Sequence, residues 1–122
     1  KLDRVYYVGK ISVLQLVSLY KRTKYFLHLA WLDHCPNVVI DARASGCQII
    51  CSSTGGTKEI AGKDAIIVEE PDWDFEPVNL YEPPIMDFTK KIKNDHDSDI
   101  DMKKVAKKYE DFFISAKRKL DS

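Results

Sequence analysis

The chain has 122 residues, 44% of them apolar, which is enough for one globular unit with a hydrophobic core. Its 19 basic and 19 acidic residues cancel, and this balance argues against a general electrostatic attraction to nucleic acid or to an anionic membrane. The odd cysteine count, Cys35, Cys47 and Cys51 with no CxxC pair, argues against a disulfide framework and predicts a reducing, cytoplasmic compartment.

Residues 1–70 alternate apolar runs with stretches of helical period. This pattern predicts an α/β fold, with a Rossmann-like parallel sheet and flanking helices. The first predicted strand is residues 4–9. A helix follows it with Ser12 as the N-cap, and a second buried strand is predicted over residues 25–30.

The next predicted helix begins near Pro36, because a proline in the first turn of a helix loses no hydrogen bond. Gly46 follows as a C-terminal glycine, so the helix spans about ten residues between them. The remaining predicted elements of this part are a strand, a glycine turn with a short helix, and a strand: residues 47–53, 54–62 and 65–70.

The regular alternation ends at Pro71. Residues 71–98 are rich in proline and predict an extended surface segment, with a short helical turn over residues 85–92. Residues 99–120 repeat apolar side chains every three or four positions, which predicts a C-terminal amphipathic helix. The expected anchors of the extended segment are Trp73, Phe75, Leu80 and Tyr81, and the expected caps of the last helix are Ser98 or Asp99.

The stretch "WLDHCPNVVIDARASG" places Asp33 before the predicted helix and Asp41 about one turn inside it. The free amides and the positive dipole end of a helix N-terminus form an anion site, often for phosphate. A carboxylate beside that site is suited to sugar hydroxyls. The spacing therefore fits a ligand that is part phosphate and part sugar. By itself it favours the alternative, an ordinary helix cap with an acid that favours the dipole.

The stretch "SSTGGTKEI" places Gly55 and Gly56 between a predicted strand and a helical turn. Adjacent glycines let backbone amides approach a ligand closely. The alternative is an ordinary strand-to-helix turn in which Glu59 caps the helix. The stretch is not a Walker A loop, because no GKS or GKT follows.

Taken in order, "VYYVGKI", "YFLHLAWLDHCPNVVIDARASG", "CQIICSSTGGTKEI" and "AIIVEE" resemble the C-terminal, donor-binding domain of retaining family 4 glycosyltransferases of the GT-B fold. The resemblance covers about residues 4–70. It implies glycosyl transfer from a nucleotide-diphosphate sugar with retained anomeric configuration, in glycan or polysaccharide biosynthesis. It implies neither a cofactor nor a metal.

By this resemblance, Asp33 takes the catalytic position and contacts the donor sugar, while Asp41 holds the ribose hydroxyls. The start of the helix near Pro36 would bind the diphosphate and the sugar. The turn at residues 9–11 would contact the base, and the turn at Gly55 and Gly56 would contact the other side of the donor. The implied donor-binding positions besides Asp41 are His34, Cys35, Pro36, Asn37, Val38, Gly9, Lys10, Ile11, Gly55, Gly56 and Glu59.

The resemblance also implies an acceptor domain and an Arg/Lys diphosphate clamp upstream, so we expect this chain to be a fragment of a longer two-domain protein that catalyses little by itself. Peripheral membrane association, if there is any, would come through the missing domain. The strand at residues 4–9 would lack its family neighbours. We expect it to pair with the strand at residues 25–30, to swap into another copy, or to pair with upstream residues.

Two departures from the family pattern matter. Both family glutamates are aspartates here, each one methylene shorter, so the sugar must sit closer or be reached through water. Arg43 stands where an apolar residue is usual, and we expect it on a solvated helix face. The shorter acids favour an alternative function, a non-catalytic nucleotide-sugar-binding or interaction module of the same fold.

Overall fold

A computed structural model describes residues 3–77, 79, 82 and 85–122 of the chain. Helices and strands alternate through its first half, which confirms the predicted α/β class. In chain order the elements are α1 (Val13–Arg22), β1 (Tyr25–His28), α2 (Asn37–Ala44), β2 (Gln48–Ser52), α3 (Thr57–Ile60), β3 (Ile66–Val68), β4 (Lys91–Ile92) and α4 (Met102–Leu120).

The strands form one sheet in the order β1-β2-β3-β4. The first three are parallel, with Tyr25 opposite Gln48 and Ile50 opposite Ile66. The last strand is antiparallel to β3, with Ile67 opposite Ile92. Parallel neighbours need crossover connections, and α2 and α3 provide them. The sheet is therefore mostly parallel with flanking helices, as predicted.

The hydrophobic core lies between one face of this sheet and the helices α1 to α3. Ile49, Cys51 and Ile67 point to this face from β2 and β3 and are buried. Val39 and Ala42 of α2 are fully buried against them, and burying such a valine contributes about 1.5–3 kcal/mol. On the opposite face Tyr25 and Leu27 of β1 stay exposed. The helices therefore cover one face more completely than the other.

Two of the helix ends follow the sequence signals. Ser12 caps α1, and its hydroxyl accepts from the amide of Gln15 while the Gln15 side chain accepts from the Ser12 amide, a reciprocal capping box. Gly46 follows α2 with φ +98, a left-handed conformation that suits glycine, so it ends the helix as predicted.

The predicted strand at residues 4–9 is wrong. These residues form no strand, and Val5, Tyr6, Tyr7 and Val8 are exposed. Arg4 and Gly9 both have positive φ, which an extended strand does not permit. Of the three expected pairings, the one with residues 25–30 is therefore absent, and among the described residues β1 has no neighbour on its outer edge. Pairing with another copy or with upstream residues stays a prediction.

Three expectations for the second half of the chain are also corrected. Residues 85–92 contain a turn and the strand β4 instead of a helical turn, because β3 supplies an edge for pairing. The cap of α4 is Asp101, whose carboxylate accepts from the amides of Lys103 and Lys104. Phe75 does not anchor the proline-rich segment, since it is largely exposed. Two of the other expected anchors, Leu80 and Tyr81, lie outside the described residues.

The segment between β4 and α4 is tied to the helices by two polar side chains, the buried Asn94 and the half-buried Arg43. The Asn94 side chain is buried and donates to the carbonyls of Lys58 and Gly62 at 3.0 and 2.7 Å. Arg43 donates to the Ile60 carbonyl at 3.1 Å and to the Ser98 carbonyl at 2.9 Å. The expectation that Arg43 lies on a solvated face is therefore wrong, because it joins α2 to this segment.

The helix α4 contains no buried residue. Its aromatic side chains, Tyr109, Phe112 and Phe113, are more than half exposed. Among the described residues, no helix combines the length and the apolar character needed to cross a bilayer.

Candidate functional site

The carboxyl ends of β1, β2 and β3 lie at the same edge of the sheet, because the three strands are parallel. Three loops leave the sheet there: residues 29–36, residues 53–56 and the segment after residue 68. Ligands of open α/β sheets bind outside this edge. Both stretches singled out in the sequence, around Asp33 and around Gly55, lie in these loops.

Asp33 is held by the last residue of β1. The Nε2 atom of His28 lies 3.0 Å from Oδ2 of Asp33, and a carboxylate only accepts, so the imidazole donates. The His28 ring stacks on Phe26, with 6.4 Å between ring centroids and an interplanar angle of 10°. His28 is mostly buried and Asp33 about one-third exposed, at 17% and 35% of their side-chain areas. The carboxylate is thus oriented while part of it still faces solvent.

The glycine turn is joined to the Asp33 loop through the backbone. The amide of Gly56 donates to the Asp33 carbonyl at 2.9 Å, and the Thr57 hydroxyl donates to the same oxygen at 3.4 Å. A Cβ on Gly55 would come within 2.5 Å of that carbonyl, and one on Gly56 would collide with the His34 carbonyl. Both glycines are therefore required by the close approach of two chain segments, without any ligand.

Behind the turn, Glu70 ties the end of β3 to the end of β2. Its buried carboxylate accepts from the hydroxyl of Thr54, and from the amide of Thr54 at 3.3 Å. The Glu70 amide donates to the Ser53 hydroxyl at 3.0 Å. The hydroxyls of Ser53 and Thr54 are consequently engaged within the protein, and the turn is fixed from both sides.

The start of α2 faces the same loop. Pro36 is the N-cap residue and no side chain caps the helix, so the interpretation of Asp33 as an ordinary cap is wrong. Asn37 and Val38 form the first turn, where the amides have no acceptor inside the helix. His34 and Cys35, which precede the cap, are exposed. This end of the helix therefore offers amide donors beside the oriented carboxylate.

The other proposed site residues are not joined to this cluster by a hydrogen bond. Asp41 is exposed on the second turn of α2. Burial, followed by the negative charge of Asp41, raises the pKa of Tyr20, which places Asp41 near the α1 side of its helix. Glu59 is exposed and does not cap α3, whose N-cap Gly56 receives no side-chain bond.

The turn proposed for the base lies apart from the cluster as well. Gly9 has φ +65, and among the described residues only the Tyr7 ring would approach a Cβ placed there, at 3.9 Å. Lys10 is exposed and Ile11 is half-buried. The role of Gly9, Lys10 and Ile11 stays a prediction.

The cysteines differ sharply in environment. Cys35 is exposed, whereas Cys47 and Cys51 are buried. Burial raises the pKa of the Cys51 thiol to about 11, with a smaller rise from Glu70 and an opposing effect from Lys58. The buried thiols therefore remain protonated and unreactive at neutral pH. Within the described ranges, no three His, Cys, Asp or Glu side chains come together as a metal-ligand set.

The family of glycosyl transferases described as group 1 matches residues 1–75, more than half of the chain. The chain belongs to the group 1 glycosyl transferases. No curated protein and no solved structure gave a match. The range matched by the group 1 glycosyl transferases contains both acids, the start of α2 and the glycine turn.

Two residues of this cluster were not expected at the site. His28 lies within the strand predicted over residues 25–30, and Glu70 ends the strand predicted over residues 65–70. Each is a polar residue at the carboxyl end of a predicted buried strand. That position is itself a signal, because parallel strands bring such residues to one edge.

Proposed function

We propose that the chain is the donor-binding part of a retaining glycosyltransferase of the GT-B fold, which transfers a sugar from a nucleotide-diphosphate sugar to an acceptor. The supporting observation is the Asp33 carboxylate, which His28 orients in the loop leading to the uncapped start of α2. It lies inside the range shared with the group 1 glycosyl transferases.

In this proposal the two acids act on hydroxyl groups. Asp33, oriented by His28, accepts hydrogen bonds from the donor sugar, and Asp41 accepts them from the ribose. The amides of Asn37 and Val38 face the diphosphate, where the helix dipole favours negative charge. As the glycosidic bond breaks, the leaving diphosphate gains charge, and the same amides stabilise it.

In this proposal, other residues bind the acceptor and complete the contacts to the diphosphate. An upstream domain binds the acceptor and completes the diphosphate clamp, so the matched region positions the donor and catalyses little alone. The proposed setting is glycan or polysaccharide biosynthesis in the cytoplasm. Peripheral membrane contact, if any, is assigned to the acceptor domain, and the chemistry needs no cofactor.

A second candidate function is a non-catalytic nucleotide-sugar-binding or interaction module. The observation that favours it is the internal use of the glycine turn. The Gly56 amide is bound to the Asp33 carbonyl, and Thr54 is bound to Glu70, so these donors are not available to a phosphate. Such a module binds the donor without transferring its sugar.

Calorimetric titration with UDP-glucose, GDP-mannose and UDP-N-acetylglucosamine tests the donor site. We expect one of these to bind, and Asp41→Ala to weaken it about tenfold, because charge-assisted hydrogen bonds to the ribose are lost. Asp95→Ala, an exposed acid outside the matched range, is the control and leaves the affinity unchanged. Equal affinity of Asp41→Ala and the wild type contradicts the ribose assignment. Sugar transfer by the longer protein that carries the proposed acceptor domain separates the two candidate functions.

A further inference from the structure

A cleft of 430 Å³ lies beside the Asp33 loop and extends past the residues discussed so far. This volume is within the range of about 300–1,000 Å³ typical of small-molecule sites. One side is formed by Leu32, which precedes Asp33, and by Gly55. The lining also includes Trp73 and Phe75 of the segment that follows β3. The cleft therefore connects the proposed donor site with an aromatic wall.

The aromatic wall is held by hydrogen bonds within its own turn. The indole N–H of Trp73 donates to the Glu76 carbonyl at 2.8 Å, and the Glu76 amide donates to Oδ1 of Asp74 at 3.1 Å. The rings of Trp73 and Phe75 lie 4.9 Å apart at 41°. Because the indole N–H already donates to a carbonyl of the protein, the face of the ring is the part of Trp73 that can contact a ligand.

Core packing does not explain the position of Phe75. Its side chain is 80% exposed, and its backbone has φ +67, a conformation that is rare and costly for a bulky residue. Leu32, which also lines the cleft, likewise has a positive φ, of +57. Non-glycine residues in this conformation cluster at ligand sites, where the surrounding structure maintains the strain.

The polar groups of the cleft decide the chemistry of the ligand. Lys58 supplies a donor and Asp72 supplies an acceptor, so the cleft combines an apolar wall with both kinds of hydrogen-bonding partner. A pyranose ring has the matching surfaces, an apolar C–H face and a rim of hydroxyl groups. A purely apolar ligand would leave the charged side chains without partners as they lose water.

We propose that Trp73 and Phe75 form a stacking platform for a pyranose ring, with Asp72 and Lys58 bound to its hydroxyls. The inference rests on the proposed function in placing this ring beside Asp33. The ring belongs either to the donor or to a saccharide acceptor, which share this chemistry. With this platform, the segment after β3 has a sugar-binding role.

Tryptophan fluorescence tests the platform directly. The chain has two tryptophans, so in Trp31→Phe protein the emission reports Trp73 alone. This protein is titrated with UDP-glucose, GDP-mannose and maltotriose, and in parallel with UDP and GDP. We expect at least one sugar-bearing ligand to change the emission, whereas UDP and GDP leave it unchanged. A change with a nucleotide sugar assigns the ring to the donor, and a change with maltotriose assigns it to an acceptor.

Matched variants measured by calorimetry complete the test. Trp73→Ala and Phe75→Ala are expected to weaken the responding ligand at least about fivefold, and Trp73→Phe to stay within about twofold, since it keeps a ring face. Phe75 is exposed, so its variant folds normally. Tyr109→Ala, an exposed aromatic residue of α4, is the control.

The outcomes separate this inference from the proposed function. If a nucleotide sugar binds equally to the wild type and to both alanine variants, the platform is wrong and the donor site stands. If maltotriose alone binds through Trp73, the platform stands and the donor site loses its support. If none of the three sugars changes the Trp73 emission, the platform is overturned.

Discussion

His28 Nε2 lies 3.0 Å from Asp33 Oδ2, so the last residue of β1 orients the acid of the loop that follows it. The imidazole is itself fixed by stacking on Phe26. A carboxylate placed in this way needs no rearrangement to accept a hydroxyl, which is the advantage of preorganised groups at a binding site.

This pair predicts the effect of removing the donor nitrogen. His28→Phe keeps a stacked ring and loses the hydrogen bond, so we expect nucleotide-sugar binding to weaken by about 1 kcal/mol, or roughly fivefold. His28→Gln carries an N–H at similar reach and should retain most of the affinity. Calorimetry of both variants checks this. If His28→Phe kept the affinity while His28→Gln lost it, stacking on Phe26, and not the hydrogen bond, would position Asp33.

The close approach at the glycine turn predicts a stability effect. Gly56 has φ −94, which any residue adopts, so Gly56→Ala adds no backbone strain and tests the collision with the His34 carbonyl alone. We expect a loss of more than about 2 kcal/mol in the free energy of unfolding, measured in urea. The matched control is Gly46→Ala, where φ is +98 and nothing lies within 4 Å, so only a strain cost of about 1 kcal/mol is expected. A Gly56→Ala protein as stable as the wild type would contradict the close approach of Gly56 to the His34 carbonyl.

The cysteine environments predict selective reactivity. At pH 8, one thiol, that of Cys35, should react rapidly with a thiol reagent in the native protein, and Cys47 and Cys51 should react only after unfolding. Counting released chromophore before and after urea addition measures this. Rapid native reaction of a Cys35→Ser variant would overturn the assignment.

The same burial predicts the pH dependence of stability. The pKa of Cys51 is raised from 9.0 to about 11 in the folded protein, so between these values the unfolded chain has lost a proton that the folded chain retains. The free energy of unfolding therefore falls as the pH rises from 9 to 11, by up to about 1.4 kcal/mol per pH unit from this group. Cys51→Ala should show a shallower decline in urea titrations at pH 8 to 11. Identical slopes would exclude this contribution.

The hydrogen bonds of the Asn94 side chain are expected to hold the segment before α4 in place. Removing its amide leaves the carbonyls of Lys58 and Gly62 without their donor, so Asn94→Ala should destabilise the protein by about 2–3 kcal/mol. The exposed neighbour Lys93 provides the control, since Lys93→Ala should change stability by less than about 0.5 kcal/mol. A comparable loss in both variants would indicate that the segment is not held by Asn94.

The errors of the sequence interpretation have a common physical cause. Residues 4–9 have the composition of a strand, but a strand exists only where another strand pairs with it, and none does so in the part of the chain that the structure describes. Lys91 and Ile92 carry a weak signal and still form β4, because β3 offers them an open edge. Arg43 was expected in solvent because its partner, Ser98, is far away in the sequence.

The sequence by itself determined the order of helices and parallel strands from α1 to β3, the ends of α1 and α2, and the positions of the two acids relative to α2. These depend on apolar periodicity and on capping, which act between near neighbours along the chain. Only the tertiary structure decided that Gly56 bonds to Asp33, that Glu70 holds Thr54, and that Trp73 faces the same cleft. Such contacts join residues distant in sequence, and they depend on strand register and on the paths of loops, which local patterns do not specify.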